Sequence, residues 1–243
     1  MAHYQERDVS AEMHSRYQES YSLFFERFFQ RRRLSPGRLL DVGCGPGLFL
    51  SLARQKGWEV QGVDPSRKSV ETARSVYGFP VQEGKIEEIS FPDESFDVVT
   101  FWNVLDALSD PKGVLRKTRR FLKKGGILFV RVVNVRFHLS LYRLWESMAP
   151  EKGNRRPPVI FHVHNFSEST LRQMLKQSGF EKIKVKNSLP TPGDPYQDSL
   201  RFSKKRVQLQ KMLIRGVSEA LFYGTLGQFC FGSSLFAEAR RGA

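Results

Sequence analysis

The sequence predicts an α/β fold, a mostly parallel sheet with helices on both faces. Three observations carry this. Between residues 38 and 133, short apolar runs alternate with segments of helical periodicity, the order that builds parallel strands joined by right-handed crossovers. The runs are almost continuously apolar, as in Ile127-Leu128-Phe129-Val130, which suits a sheet covered on both sides. The first of them enters a glycine-rich turn that opens a helix.

Taken in order, Glu12 to Arg33 has helical spacing. Tyr17, Tyr21, Phe24, Phe25, Phe28 and Phe29 recur at three and four and fall mostly on one face. Ser35-Pro36-Gly37 ends the helix. Arg38 to Val42 reads as a strand, Leu48 to Lys56 as a helix stopped by Gly57, and Trp58 to Val63 as a second strand. Ser66 is placed to cap a helix over Arg67 to Tyr77. Pro80 to Gln82 is a short strand, Phe96 to Phe101 a buried one, and Pro111 to Leu122 a helix. Lys124-Gly125-Gly126 turns the chain into a strand over Ile127 to Val133. Beyond it, Arg136 to Pro158 reads as a helix plus a loop, and Ser167 to Ser178 as a helix ended by Gly179. Ile183 to Val185 and Leu235 to Ala239 bring the strand count to seven. Between them lies a basic helical segment, Ser203 to Phe222.

The chain of 243 residues is long enough for one sizeable core. It is read as a single domain: a helical cap over 1–34, a central unit over 36–134, and a second half over 135–243. Two cysteines, Cys44 and Cys230, imply no disulfide framework and fit a reducing, cytoplasmic setting. The polar start does not read as a signal peptide, and no apolar run approaches the roughly 20 residues that span a bilayer. The net charge is +14, with 21 basic against 17 acidic residues up to 135 and 18 against 8 after it. The excess therefore lies in the second half and favours anionic partners.

The strongest chemical signal is Leu39-Leu40-Asp41-Val42-Gly43-Cys44-Gly45-Pro46-Gly47. Glycines let backbone approach a ligand closely, and the following helix start adds unpaired N–H groups. A dinucleotide site needs G-x-G-x-x-G, but Leu48 stands where its third glycine belongs. Asp41, at the strand end, suits a cationic amino-acid group better than a pyrophosphate. A second carboxylate, Asp64, ends the next strand, where an acid can accept from both hydroxyls of a ribose.

This stretch resembles motif I of class I S-adenosylmethionine-dependent methyltransferases, which have a Rossmann-like fold. The resemblance extends through Gly84 to Pro92, Ser95 to Val99 and Lys123 to Leu128, and so covers about residues 36–134. It implies a seven-stranded sheet whose last strand is antiparallel, and S-adenosylmethionine as cofactor. By the same resemblance Asp41 serves the methionine amino group, Gly43, Cys44, Gly45 and Gly47 supply backbone contacts, and Asp64 holds the ribose with Pro65 and Ser66 at its edge. Lys85 and Ile86 take the adenine position. Lysine cannot accept from the adenine amino group, which leaves that contact to the Ile86 backbone. Phe101, Trp102 and Asn103 flank the sulfonium, and Tyr17 or Tyr21 closes over the cofactor.

The acceptor side carries less signal. Phe101-Trp102-Asn103-Val104 is unlike the stretch that marks amino-methylating relatives, and Asp106-Ala107 stands where many O-methylating relatives have Glu-His. Two other histidines, His162 and His164, precede the helix at Ser167 and are candidate bases for a hydroxyl proton. No metal cluster is expected. The expected acceptor is a hydroxyl of a lipid, quinone-precursor or glycan-like metabolite. The alternatives are an RNA methyltransferase, to which the charge points, and a cofactor-binding protein without catalysis. Ser203 to Phe222 mixes five basic residues with an apolar stripe, a pattern that fits peripheral contact with an anionic membrane.

Overall fold

In a computed structural model of the chain, the residues described are 21–22, 24–26, 29, 34–148, 162–188, 216–217, 220–221, 223–226 and 232–242. Tyr17, most of the basic segment 203–222 and the loop expected up to Pro158 lie outside them.

The strands are β1 (Arg38–Val42), β2 (Glu59–Asp64), β3 (Val81–Glu83), β4 (Phe96–Trp102), β5 (Leu122–Val133), β6 (Phe180–Asn187) and β7 (Ser234–Arg241). The helices between them are α1 (Leu48–Gln55), α2 (Arg67–Tyr77), α3 (Pro111–Phe121), α4 (Val135–Met148) and α5 (Glu168–Gln177). One seven-stranded sheet runs in the order β3-β2-β1-β4-β5-β7-β6. From β3 to β5 the neighbours are parallel. The last strand, β7, is antiparallel to both β5 and β6. The sheet is thus the mostly parallel, Rossmann-like one expected.

Alternation along each strand sends side chains to opposite faces. One face packs Leu40, Val42, Phe101 and Leu128 against Leu115 of α3 and Leu171 of α5. The other packs Leu39, Trp102 and Phe129 against Phe49 of α1, Val70 of α2 and the aromatic N-terminal residues Phe24, Phe25 and Phe29. Those three are 1–3% exposed, so they are core on this face.

Two strands differ most from their expected spans. β5 begins at Leu122, which pairs with Phe96 before the register jumps to Val98 opposite Ile127. The Gly125-Gly126 turn is therefore a bulge inside the strand, with Gly125 at φ +73°. β6 runs from Phe180, longer than its apolar centre suggests. It is the sheet's edge, where lysines such as Lys184 keep exposed ladder positions soluble and discourage pairing with another chain.

Local signals explain the helix starts. Ser66 caps α2, its hydroxyl accepting from the Ser69 N–H at 3.4 Å. Ser167 caps α5 in a reciprocal box with Thr170.

Candidate active site

The turn between β1 and α1 is folded by three glycines with positive φ: Gly43 at +71°, Gly45 at +53° and Gly47 at +89°. The Gly43 N–H donates to the Val63 carbonyl at 2.7 Å, tying the turn to the end of β2. A Cβ at Gly43 would overlap Val104, and one at Gly47 would press on Phe79 at 3.0 Å. At Gly45 a Cβ would meet nothing within 4 Å. The turn is packed behind and open in front, a cradle where a ligand can lie against backbone. Cys44 contributes only main chain there. Its thiol is buried against Gly62, and burial pushes its pKa up.

Two carboxylates flank the cradle. Asp41 lies one residue before the end of β1, on the α1 face, and is 2% exposed. Its Oδ1 accepts from the Thr100 hydroxyl at 2.6 Å, since Asp41 and Thr100 are register partners on β1 and β4. Burial pushes its pKa up to about 8, with the Thr100 hydrogen bond pulling down and Asp64 adding upward repulsion. Asp64, at the end of β2, accepts from the Gly45 N–H and the Ser66 N–H, both at 2.8 Å. Burial raises its pKa too, against the pull of those two N–H groups. The Gly84 N–H donates to the Asp64 carbonyl at 3.0 Å and brings the β3 loop alongside. Pro65 is exposed, and Ser66 serves as helix cap.

The sequence-predicted aromatic residues divide between the faces. The Tyr21 ring lies 5.6 Å from Phe49 and 6.2 Å from Trp102, which places the N-terminal segment over the start of α1. Trp102 is 5% exposed, and its indole N–H meets no acceptor among the described residues. Phe101 is a correction to the sequence reading. As its strand neighbour, it points to the other face and is fully buried with Ile86 and Leu105, so its ring presents no surface to a ligand. Asn103 sits at φ +58°. Its Oδ1 accepts from the buried Arg131 guanidinium at 2.5 Å, and its N–H donates to the Arg131 carbonyl at 2.9 Å. Asn tolerates this left-handed position because its short polar side chain bonds locally. Lys85 is exposed, and its carbonyl closes a turn by accepting from Glu88 and Ile89.

The acceptor-side histidines come to the same edge of the sheet. Phe166 bridges Asn134 at the end of β5, and its carbonyl accepts from Val135 at 2.9 Å. His164 donates its backbone N–H to the Asp106 carbonyl at 2.9 Å. The His162 imidazole lies with Nε2 4.0 Å from Asp106 Oδ2. Asp106 belongs to a 3-10 turn, Leu105–Ala107, just after β4.

Thr100 and Asp106 are the residues that sequence reasoning missed as site members. A signal existed for Thr100: a hydroxyl inside an apolar strand needs a partner. For Asp106 the sequence offered only its place, with Ala107, where many O-methylating relatives have Glu-His; its partners come from β5 and from a segment more than fifty residues on.

These residues fit S-adenosylmethionine. The turn is open in front at Gly45, α1 starts beside it without a side-chain cap, and among the described residues no cation is paired with the buried carboxylates Asp41 and Asp64, a need that the ammonium of the amino-acid end would meet. Among the described residues no cluster could hold a metal ion, and no helix is long and apolar enough to cross a membrane.

Comparison with known proteins agrees. A family described as a methyltransferase domain matches residues 13–185. An uncharacterised protein of Methanocaldococcus jannaschii is 29% identical over 161 residues, covering 65% of this chain and 72% of that protein. A ubiquinone biosynthesis O-methyltransferase of Neisseria meningitidis is 32% identical over 105 residues. That match takes in 40% of this chain and spans less than half, 44%, of the enzyme. The solved structure of an S-adenosylmethionine-dependent methyltransferase of Thermotoga maritima superimposes with a TM-score of 0.60 at 21% identity, covering 94% of this chain and 91% of that one.

Proposed function

The chain belongs to the S-adenosylmethionine-dependent methyltransferases, and on that premise we propose that it methylates a hydroxyl of a lipid, quinone-precursor or glycan-like metabolite. The observation that carries this reading is the imidazole of His162 beside the buried carboxylate of Asp106, at the sheet edge that also bears the glycine cradle. A hydroxyl must lose its proton as it is methylated, and a histidine is suited to take it near neutral pH. The partial likeness to ubiquinone biosynthesis O-methyltransferases supports the same chemistry.

When bound, S-adenosylmethionine supplies a methyl group already activated by its sulfonium. The chain's own residues bind, align and exclude water. Asp41 meets the ammonium and Asp64 the ribose hydroxyls, while the turn from Gly43 to Gly47 gives backbone contact. Tyr21 and Trp102 cover the apolar side, where an aromatic face favours a cation. His162 and His164 are the candidate bases on the acceptor side.

The test is a transfer assay with cofactor labelled in the methyl group, run against cell extracts separated into lipid, small-molecule, RNA and protein fractions. Label in an alkali-stable ether of the lipid or small-molecule fraction is expected. Label in RNA would replace this reading with RNA methylation, and no label anywhere would favour a cofactor-binding protein. On the acceptor found, His162→Gln or His164→Gln should lower turnover about 10²- to 10⁴-fold, far more than it lowers S-adenosylhomocysteine affinity.

A further inference from the structure

The segment before α5 brings an imidazole to a carboxylate buried on another element. Asp106 is 1% exposed. Its Oδ2 accepts from the Val133 N–H at 3.2 Å, its carbonyl accepts from the His164 N–H at 2.9 Å, and His162 Nε2 stands 4.0 Å from that Oδ2. Its Oδ1 is buried and, among the described residues, meets no hydrogen-bond partner. A carboxylate in such a place is costly unless a charge or donor answers it. Burial raises its pKa, while His162, the Val133 N–H and Arg131 hold it down. The next residue is Ala107, so the turn itself contributes no imidazole, and the imidazole set against the carboxylate is that of His162.

We propose that Asp106 is a positioning residue that orients His162 as the base for the acceptor hydroxyl. This rests on the hydroxyl-methylation reading above. A separation of 4.0 Å is too long for a hydrogen bond, so the carboxylate stands beside the imidazole without bonding it, and the two become an ion pair when the imidazole gains a proton. With Nε2 turned toward Asp106, Nδ1 is the nitrogen that takes the proton. The acceptor O–H bond breaks, an N–H bond forms on Nδ1, and the oxygen's electron pair becomes its bond to the incoming methyl carbon. The imidazolium then lies beside the Asp106 carboxylate. Among the described residues, Arg131 on β5 and His164 on the same segment are the other titratable or charged groups at this pair, and the Arg131 charge opposes protonation.

The test is a nuclear magnetic resonance titration of His162 in the full chain, its signal assigned with His162→Gln. In Asp106→Asn, which keeps an acceptor for the Val133 N–H, the His162 pKa should fall by about 1 unit, the scale of losing an opposite charge at this distance. A fall below about 0.3 unit would overturn the proposal. Should that variant not fold, the reciprocal measurement decides. The Asp106 carboxyl carbon is titrated in the wild type and in His162→Gln, where loss of the imidazole should raise its pKa, and no rise overturns the pairing. Neither titration needs an acceptor, so failure of the hydroxyl reading in the extract assay is a separate result.

Discussion

The Thr100 hydroxyl donates a 2.6 Å hydrogen bond to Asp41 Oδ1 across the β1–β4 ladder. It is the one side-chain hydrogen bond that pulls the Asp41 pKa down, and so keeps this buried acid nearer to ionisation and to use against a cation. Thr100→Val should weaken S-adenosylhomocysteine binding about ten- to a hundredfold, in line with about 1.5–3 kcal/mol for a hydrogen bond to a charged group. Thr100→Ser should restore most of it. Calorimetry at pH 7 checks both, and equal affinity in wild type and Thr100→Val would remove Asp41 from the ligand site.

The Asp41 pKa is raised in the folded chain from 3.8 to about 8. Between these values the folded state holds a proton that the unfolded state has lost. The contribution of Asp41 to stability therefore falls as pH rises from about 4 to about 8. Thermal unfolding of the cofactor-free protein from pH 5 to 8.5 should decline less steeply in Asp41→Asn than in the wild type. Parallel curves would show that Asp41 is ionised throughout.

The same shift predicts proton release on binding. A cation beside Asp41 favours its charged form, so the carboxyl should give up its proton as S-adenosylmethionine binds below pH 8. Calorimetry at pH 7 in two buffers of different ionisation enthalpy should give heats that differ in proportion. Identical heats would contradict it.

Gly45 and Gly43 should behave differently when substituted. Gly45→Val points into open space, so the protein should stay folded, at a strain of about 1–2 kcal/mol for a side chain at positive φ. The same side chain fills the cradle, and S-adenosylhomocysteine binding should be lost. Gly43→Ala meets Val104 instead and should lower the unfolding temperature. Circular dichroism melts with calorimetry separate the two outcomes; retained binding in Gly45→Val would move the ligand elsewhere.

Asp64 accepts from Gly45 and Ser66 at once, so it holds the glycine turn and the start of α2 besides the ribose contact proposed for it. Asp64→Ala should cost about 1.5–3 kcal/mol of cofactor affinity, and Asp64→Asn less, because the amide keeps one acceptor oxygen. Calorimetry with S-adenosylhomocysteine measures both, and an unchanged alanine variant would exclude Asp64 from binding.

The sequence by itself determined the sheet and its cofactor end. Strands and helices announce themselves through local periodicity, and the run from Asp41 to Gly47 carries its chemistry in consecutive residues, as does the Ser66 cap. Only the tertiary structure decided what depends on register and on distant pairing. Phe101 and Trp102 are adjacent in sequence, yet pleating sends one into the α3 face and the other to the cradle. Thr100 reaches Asp41 because β1 and β4 are neighbours at a definite register, and His162 reaches Asp106 because the segment before α5 docks on the end of β5. Such contacts join residues roughly sixty positions apart, and no local pattern encodes them, because their energy comes from a partner that the chain meets only once folded.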